Sequence, residues 1–242
     1  MSQENRASKP WRRWAAEVVA IVGSILLAFA IDAWWDDLQL RRDEATAIRQ
    51  LRDEFLSNSE AIRAAQQSHR RAEVAFDAML RIIREKGDPA GSYVVPDSVL
   101  FELGSWTTLD PATGVLEALV SSGRILLIGD SDLRAELTSW STELQDVREE
   151  EVEDRRITSD QVLPLINQYV PLVSMEHRIS GEPAFPSAFE GDLRGLLGSL
   201  YFENVMHGRL IRKTNILDAY ADLTAQHQSI LSRLEERLTT AS

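Results

Sequence analysis

The stretch Ala15 to Trp35, AAEVVAIVGSILLAFAIDAWW, constrains this chain more than any other feature. From Val18 to Ile31 every residue is apolar or small, and only Glu17, Ser24 and Asp32 in the whole stretch are polar. As a helix its length is roughly 31 Å, which matches a hydrocarbon core of about 30 Å. Glu17 and Asp32 fall within a turn of either end, where a carboxylate reaches headgroup water at modest cost. Trp11 and Trp14 precede the run and Trp34 and Trp35 close it, where indole rings settle at a membrane border. The reading is one transmembrane helix over 15–35, after a basic tail over 1–14, with a folded domain over 36–242.

Two other readings compete. Ala28-Phe29-Ala30 matches a signal-peptidase site after a basic start. However, Glu17 would then interrupt the apolar region, and no Pro or Gly follows between Gly23 and Gly87. A buried core helix would be amphipathic, whereas this run is apolar on every face. Orientation rests on Lys and Arg: Arg6, Lys9, Arg12 and Arg13 on one side against Arg41, Arg42, Arg49 and Arg52 on the other. The N-terminal cations stand closer to the span, which places the N-terminus inside and the domain outside a bacterial inner membrane.

Beyond the span, Ile48, Leu51, Phe55, Ile62, Ala65, Ala72, Phe76, Met79 and Ile83 keep a three–four spacing, the seam of a coiled-coil-like helix. Asn58 and His69 fall on that seam, and polar seam residues commonly set register or partner number. If continuous with the span, this helix is a rod of about 75 Å beyond the bilayer. Its apolar face must therefore pair within the chain or with another copy. Loops are expected over 87–97 and 176–187 from their Gly and Pro content. Asp97-Ser98 reads as the cap of a short helix through Leu103. Asp110-Pro111 reads as the cap of another that Gly123 stops.

After Ile125 to Ile128, Asp130 or Ser131 caps a long helix with Leu133, Leu137, Trp140, Leu144 and Val147 on its buried side. Its next stretch, Arg148 to Arg156, reads as a solvated charged face, and Pro164 and Pro171 kink or end it. From Ala188 onward the pattern is helical again through Leu193, Leu196, Leu200, Ile216, Tyr220, Leu223, Ile230 and Leu234, with Gly208 placed to bend it. Nothing alternates with period two long enough for a sheet. The fold class is all-α: an N-terminal transmembrane helix continuing into an elongated bundle of three long helices and several short ones.

Composition narrows the chemistry. With no cysteine there are no disulfides, thiol catalysis or Cys-based zinc sites. A net charge of −12 argues against nucleic acid, and against anionic headgroups as partners of the folded part. The block Ile125 to Ser131, ILLIGDS, resembles the nucleophile block of Gly-Asp-Ser hydrolases. That family also needs Asp three residues before a histidine, and His69, His177, His207 and His227 are instead preceded by Gln66, Ser174, Asn204 and Thr224. Glu203 and His207, spaced i,i+4, are a weak metal pair, and His69 and His227 both occupy heptad positions that could bring them together. The expectation is a non-enzyme without metal or cofactor.

The basic Trp-rich start, Glu17, the span ending AFAIDAWWDD, and the block Leu119 to Ile128, LVSSGRILLI, with Asp132-Leu133-Arg134, together resemble a family of uncharacterised bacterial membrane-anchored proteins. The resemblance implies organisation over nearly the whole chain and no activity. The span and the polar seam instead point to the lipid bilayer and either a second copy or another membrane protein as partners, for a protein that works by binding as a scaffold or accessory subunit. A small-ligand sensor acting through such a partner is the alternative.

Overall fold

In the computed structural model of the protein, residues 10–85, 94–173 and 187–240 are described; they are almost entirely helical and contain no strand. Helix α1 runs without interruption over Pro10–Glu85, 76 residues or about 114 Å. Its N-terminal part stands clear of the rest, and one stretch of it is apolar and long enough to cross a membrane, with none of that stretch buried in the protein.

The remaining chain packs along the rest of α1. Helix α2 (Asp97–Gly104) lies beside its upper end, where Arg71 meets Glu102 at 3.3 Å. The chain then descends: Ser68 bonds Thr107, Asn58 bonds Ala112, and Glu54 reaches the start of α3 (Gly114–Ser121). A 3-10 turn over Arg124–Leu127 brings it down to Gly129, whose N–H donates to Glu44 at 2.8 Å. Helix α4 (Ser131–Ile157) climbs parallel to α1, with Trp140 opposite Phe55 and Glu151 opposite His69. A π-helical turn (Thr158–Val162) and α5 (Leu163–Tyr169) form the far end with α6 (Leu193–Leu197). Helix α7 (Leu200–Thr240) descends antiparallel to α1, from Arg209 over Phe76 to Arg237 beside Glu44. The result is an up–down–up–down bundle whose second limb is broken into short pieces.

The local rules account for most of these elements. Asp130 caps α4 by accepting from the backbone N–H of Asp132 and Leu133, each at 3.0 Å. Gly123 ends α3 with φ of +71°, a left-handed conformation that costs glycine nothing. The π turn precedes Pro164, which lacks the N–H that would continue an α-helix. Every apolar residue of the expected α1 seam is buried, and so are Asn58 and His69.

Three expectations need correction. Asp97 is the first helical residue of α2 and not its cap, a position that Pro96 takes. Asp110-Pro111 does not cap a helix: α3 starts later, with Thr113 at the cap position, and residues 105–113 are non-helical. The orphan N–H groups of α3 are taken by a residue far away in sequence, since the Glu54 carboxylate accepts from Val115 at 2.6 Å and Leu116 at 3.1 Å. The last helical stretch begins at Leu193 and is interrupted at Gly198-Ser199. Helix α7 continues through Gly208, where a methyl group would meet nothing within 4 Å. Most of the two loops expected over 87–97 and 176–187 lies outside the described residues, as do Arg6, Lys9 and His177.

Candidate functional site

A layer of ionisable side chains crosses the middle of the bundle and divides its apolar interior in two. Below it, Phe55, Ile62, Trp140, Leu144 and Tyr220 belong to one cluster. Above it, Phe76, Met79, Leu103, Ile166 and Phe202 belong to another. Between them lie His69 from α1, Glu151 and Asp154 from α4, and Arg209 and Lys213 from α7, none more than 2% exposed.

The hydrogen bonds determine each group's role. Lys213 Nζ donates to Asp154 Oδ2 at 2.7 Å and contacts His69 Nδ1 at 3.2 Å. An ammonium has donors only, so Nδ1 offers a lone pair and the imidazole proton resides on Nε2. That N–H donates to Glu151 Oε1 at 3.1 Å. Glu151 Oε1 also accepts from the Tyr220 hydroxyl at 2.6 Å, and Oε2 accepts from the backbone N–H of Leu109 at 2.9 Å. Arg209 Nη1 donates to the Asp154 carboxylate and, at 2.8 Å, to the Asp154 backbone carbonyl. The Arg209 guanidinium lies 5.0 Å above the Phe76 ring, which covers charge that finds no further acceptor.

Two carboxylates face two cations, so the layer is neutral overall. Burial pushes the Lys213 and Arg209 pKa values down, while the Asp154 charge pulls both back up. Burial pushes the Tyr220 phenol well up, and the Glu151 charge adds to it, so Tyr220 stays a proton donor. Such a layer adds little net stability relative to an apolar one of the same shape. Removing one member, in contrast, leaves a buried charge unpaired and costs about 3–5 kcal/mol. It fixes the rotation and height of α4 and α7 against α1, because the pairs form only in one register.

The sequence-derived site residues are placed as follows. Trp11, Trp14, Trp34 and Trp35 are all more than half exposed on α1, and Glu17 and Asp32 are exposed beside them. Asn58 and His69 are brought into the core, at different heights. Asn58 clamps the descending limb, with Nδ2 donating to the Ala112 carbonyl at 2.7 Å and Oδ1 accepting from the Ala112 N–H at 2.9 Å. Both side chains thus form hydrogen bonds inside the chain. His69 and His227 do not meet, because His227 lies lower, stacked on Phe55 with Nε2 3.0 Å from Ser59 Oγ. Among the described residues no group of His, Asp and Glu is arranged to hold a metal ion. Ser131 begins α4 on the surface, and its hydroxyl contacts Asp132, with no described histidine bonded to it.

Glu151, Asp154, Arg209 and Lys213 went unrecognised in the sequence, where 148–156 reads as a solvated face. That reading needs correction at Glu151 and Asp154 only, since Glu149, Arg155 and Arg156 do face outward. A signal was present: the spacing 137, 140, 144, 147 of the buried α4 residues continues to 151, 154 and 158. Likewise Phe202, Met206, Arg209, Lys213, Ile216, Tyr220, Leu223, His227, Ile230 and Leu234 form one heptad seam.

No family model, no curated protein and no solved structure matches the chain.

Proposed function

We propose that this protein is a bacterial inner-membrane protein anchored by a single pass, which presents its helical bundle as an interaction scaffold or accessory subunit. The observation that supports this is the continuity of α1, which passes from the exposed apolar stretch into the bundle core without a break. A partner held by the bundle would be kept at a fixed height and rotation over the bilayer, because no hinge separates anchor from domain. The internal pairing of Asn58 and His69 leaves the outer surfaces for that partner. One of them is the groove between α1 and α2, where Val74 is 62% exposed and flanked by Arg70 and Arg71. In this reading the N-terminus lies inside and the bundle is extracytoplasmic. The resemblance to uncharacterised membrane-anchored proteins agrees with this organisation and adds no activity.

The test is a C-terminal topology reporter on the full chain, combined with photocrosslinking from Val74 in intact membranes. An extracytoplasmic reporter on an uncleaved chain, with one crosslinked product that competes with the unlabelled chain, supports the scaffold. A cytoplasmic reporter overturns the orientation, and a soluble chain shortened near Ala30 removes the anchor.

The sensor reading draws on a different observation. The ionic layer is coupled to α1 through His69, so a ligand that changed its packing would act on the anchor helix directly. A ligand-dependent rise in melting temperature separates this reading from a passive scaffold.

A further inference from the structure

At the base of the bundle, α1 and the end of α7 enclose a cleft of about 640 Å³. Its floor is apolar, with Leu38, Ile48 and Leu238, and its walls carry Arg41, Arg42, Arg49 and Arg237 against a single carboxylate, Glu44. That carboxylate is already engaged, accepting from Arg237 at 2.9 Å and from the Gly129 N–H. Arg41 pairs with Asp37 on the helix surface, whereas Arg42 and Arg49 have no carboxylate partner among the described residues.

Placement matters as much as charge. Leu38 follows Trp35 by three residues, so the cleft opens about 5 Å beyond the end of the apolar stretch, with Arg41 and Arg42 about 9–11 Å and Arg49 about 21 Å beyond it along the helix. The headgroup layer of a bilayer is of similar depth. Side chains on a helix lean toward its N-terminus, which on α1 is the side of the apolar stretch, so Arg41 and Arg42 lean toward that layer. Charges more than about 10 Å away are largely screened by salt, and of the acids nearby on α1, Asp36, Asp37, Asp43 and Glu44, two are paired: Asp37 with Arg41 and Glu44 with Arg237.

We propose that this cleft binds the headgroup of an anionic phospholipid, its phosphate between the arginines and its glycerol end against the apolar floor. The inference rests on α1 being a membrane anchor. The chemistry recognised is a phosphate-bearing anion. The source is lipid and not free phosphate because the floor is apolar and the opening adjoins the membrane border. Such a contact would fix the tilt of the bundle on its anchor helix and tie a partner's position to lipid composition.

The test uses the full chain in vesicles of phosphatidylcholine with a minority of phosphatidylglycerol, followed by mass spectrometry of the lipids retained on the released protein. The parent chain should retain phosphatidylglycerol over phosphatidylcholine, and Arg41→Gln with Arg42→Gln should lower that preference roughly ten-fold. A control pair, Arg63→Gln with Arg70→Gln, removes equal charge from the exposed middle of α1 and should leave it intact. Excess inorganic phosphate should not displace the lipid; if it does, the site is a phosphate site and the lipid assignment falls. Equal retention of both lipids, or equal loss in the control pair, overturns the proposal while leaving the anchor in place. A chain that does not float with the vesicles at all overturns both. Unchanged melting temperatures in both variants show that their folds are preserved.

Discussion

The ammonium of Lys213 lies 2.7 Å from the carboxylate of Asp154, and both side chains are 1% exposed. The same carboxylate also takes Arg209, so one anion on α4 holds two cations from successive turns of α7. The two apolar clusters meet across this contact, and α4 and α7 slide past each other only if it breaks.

Unequal costs are expected for its members. Asp154→Ala leaves Lys213 and Arg209 both without their carboxylate, and should destabilise the bundle by about 3–5 kcal/mol. Lys213→Met leaves Asp154 paired with Arg209 and should cost less. Urea denaturation midpoints of the two variants decide it: equal losses would overturn the order, and sub-kilocalorie losses in both would show that the layer does not bear on folding.

Glu54 provides a longer-range dependence. Its carboxylate takes the first free N–H groups of α3, sixty-one and sixty-two positions away in sequence. Glu54→Ala should cost about 1–3 kcal/mol through the buried Leu116 N–H it leaves unpaired. Because Glu54 ties the start of α3 to α1, hydrogen exchange in residues 114–121 should accelerate more than in α4.

Stability should also depend on pH through His227. Burial against Phe55 and Trp140 pushes its pKa below the usual histidine value of 6.5. The unfolded chain therefore binds a proton more readily than the folded one, and stability rises with pH across the window between the depressed value and 6.5. Below that window the effect levels off. In His227→Gln, which keeps a donor for Ser59, the pH dependence of the urea midpoint between pH 5 and pH 7 should be shallower. An unchanged slope would assign the dependence to other groups.

Two glycines should respond in opposite directions to the same change. Gly123→Ala forces a side chain into the left-handed region and should cost about 1–2 kcal/mol. Gly208→Ala adds a methyl group into open space within α7 and should gain about 0.5–1 kcal/mol from helix propensity. Thermal melting of the two variants tests both signs.

Much of this architecture was legible in the sequence because the signals were local. The apolar stretch of α1, its seam from Ile48 to Ile83, the Asp130 cap and the Gly123 stop each depend on residues within a few turns of one another. The start of α3 was misread for the complementary reason. Asp110-Pro111 has the composition of a cap, but the groups that satisfy α3 come from Glu54 on a different helix.

The charged residues on the α4 and α7 seams mark the division most clearly. The heptad spacing alone puts Glu151 and Asp154 on one helical face with Leu144 and Val147, and Arg209 and Lys213 on another with Ile216 and Tyr220, because a period of three and four residues is a property of one helix. The burial of those charges depends instead on how the helices meet. A carboxylate or ammonium survives in an apolar interior only when an opposite charge arrives at the same height, and that height is set by how α4 and α7 align against His69 on α1.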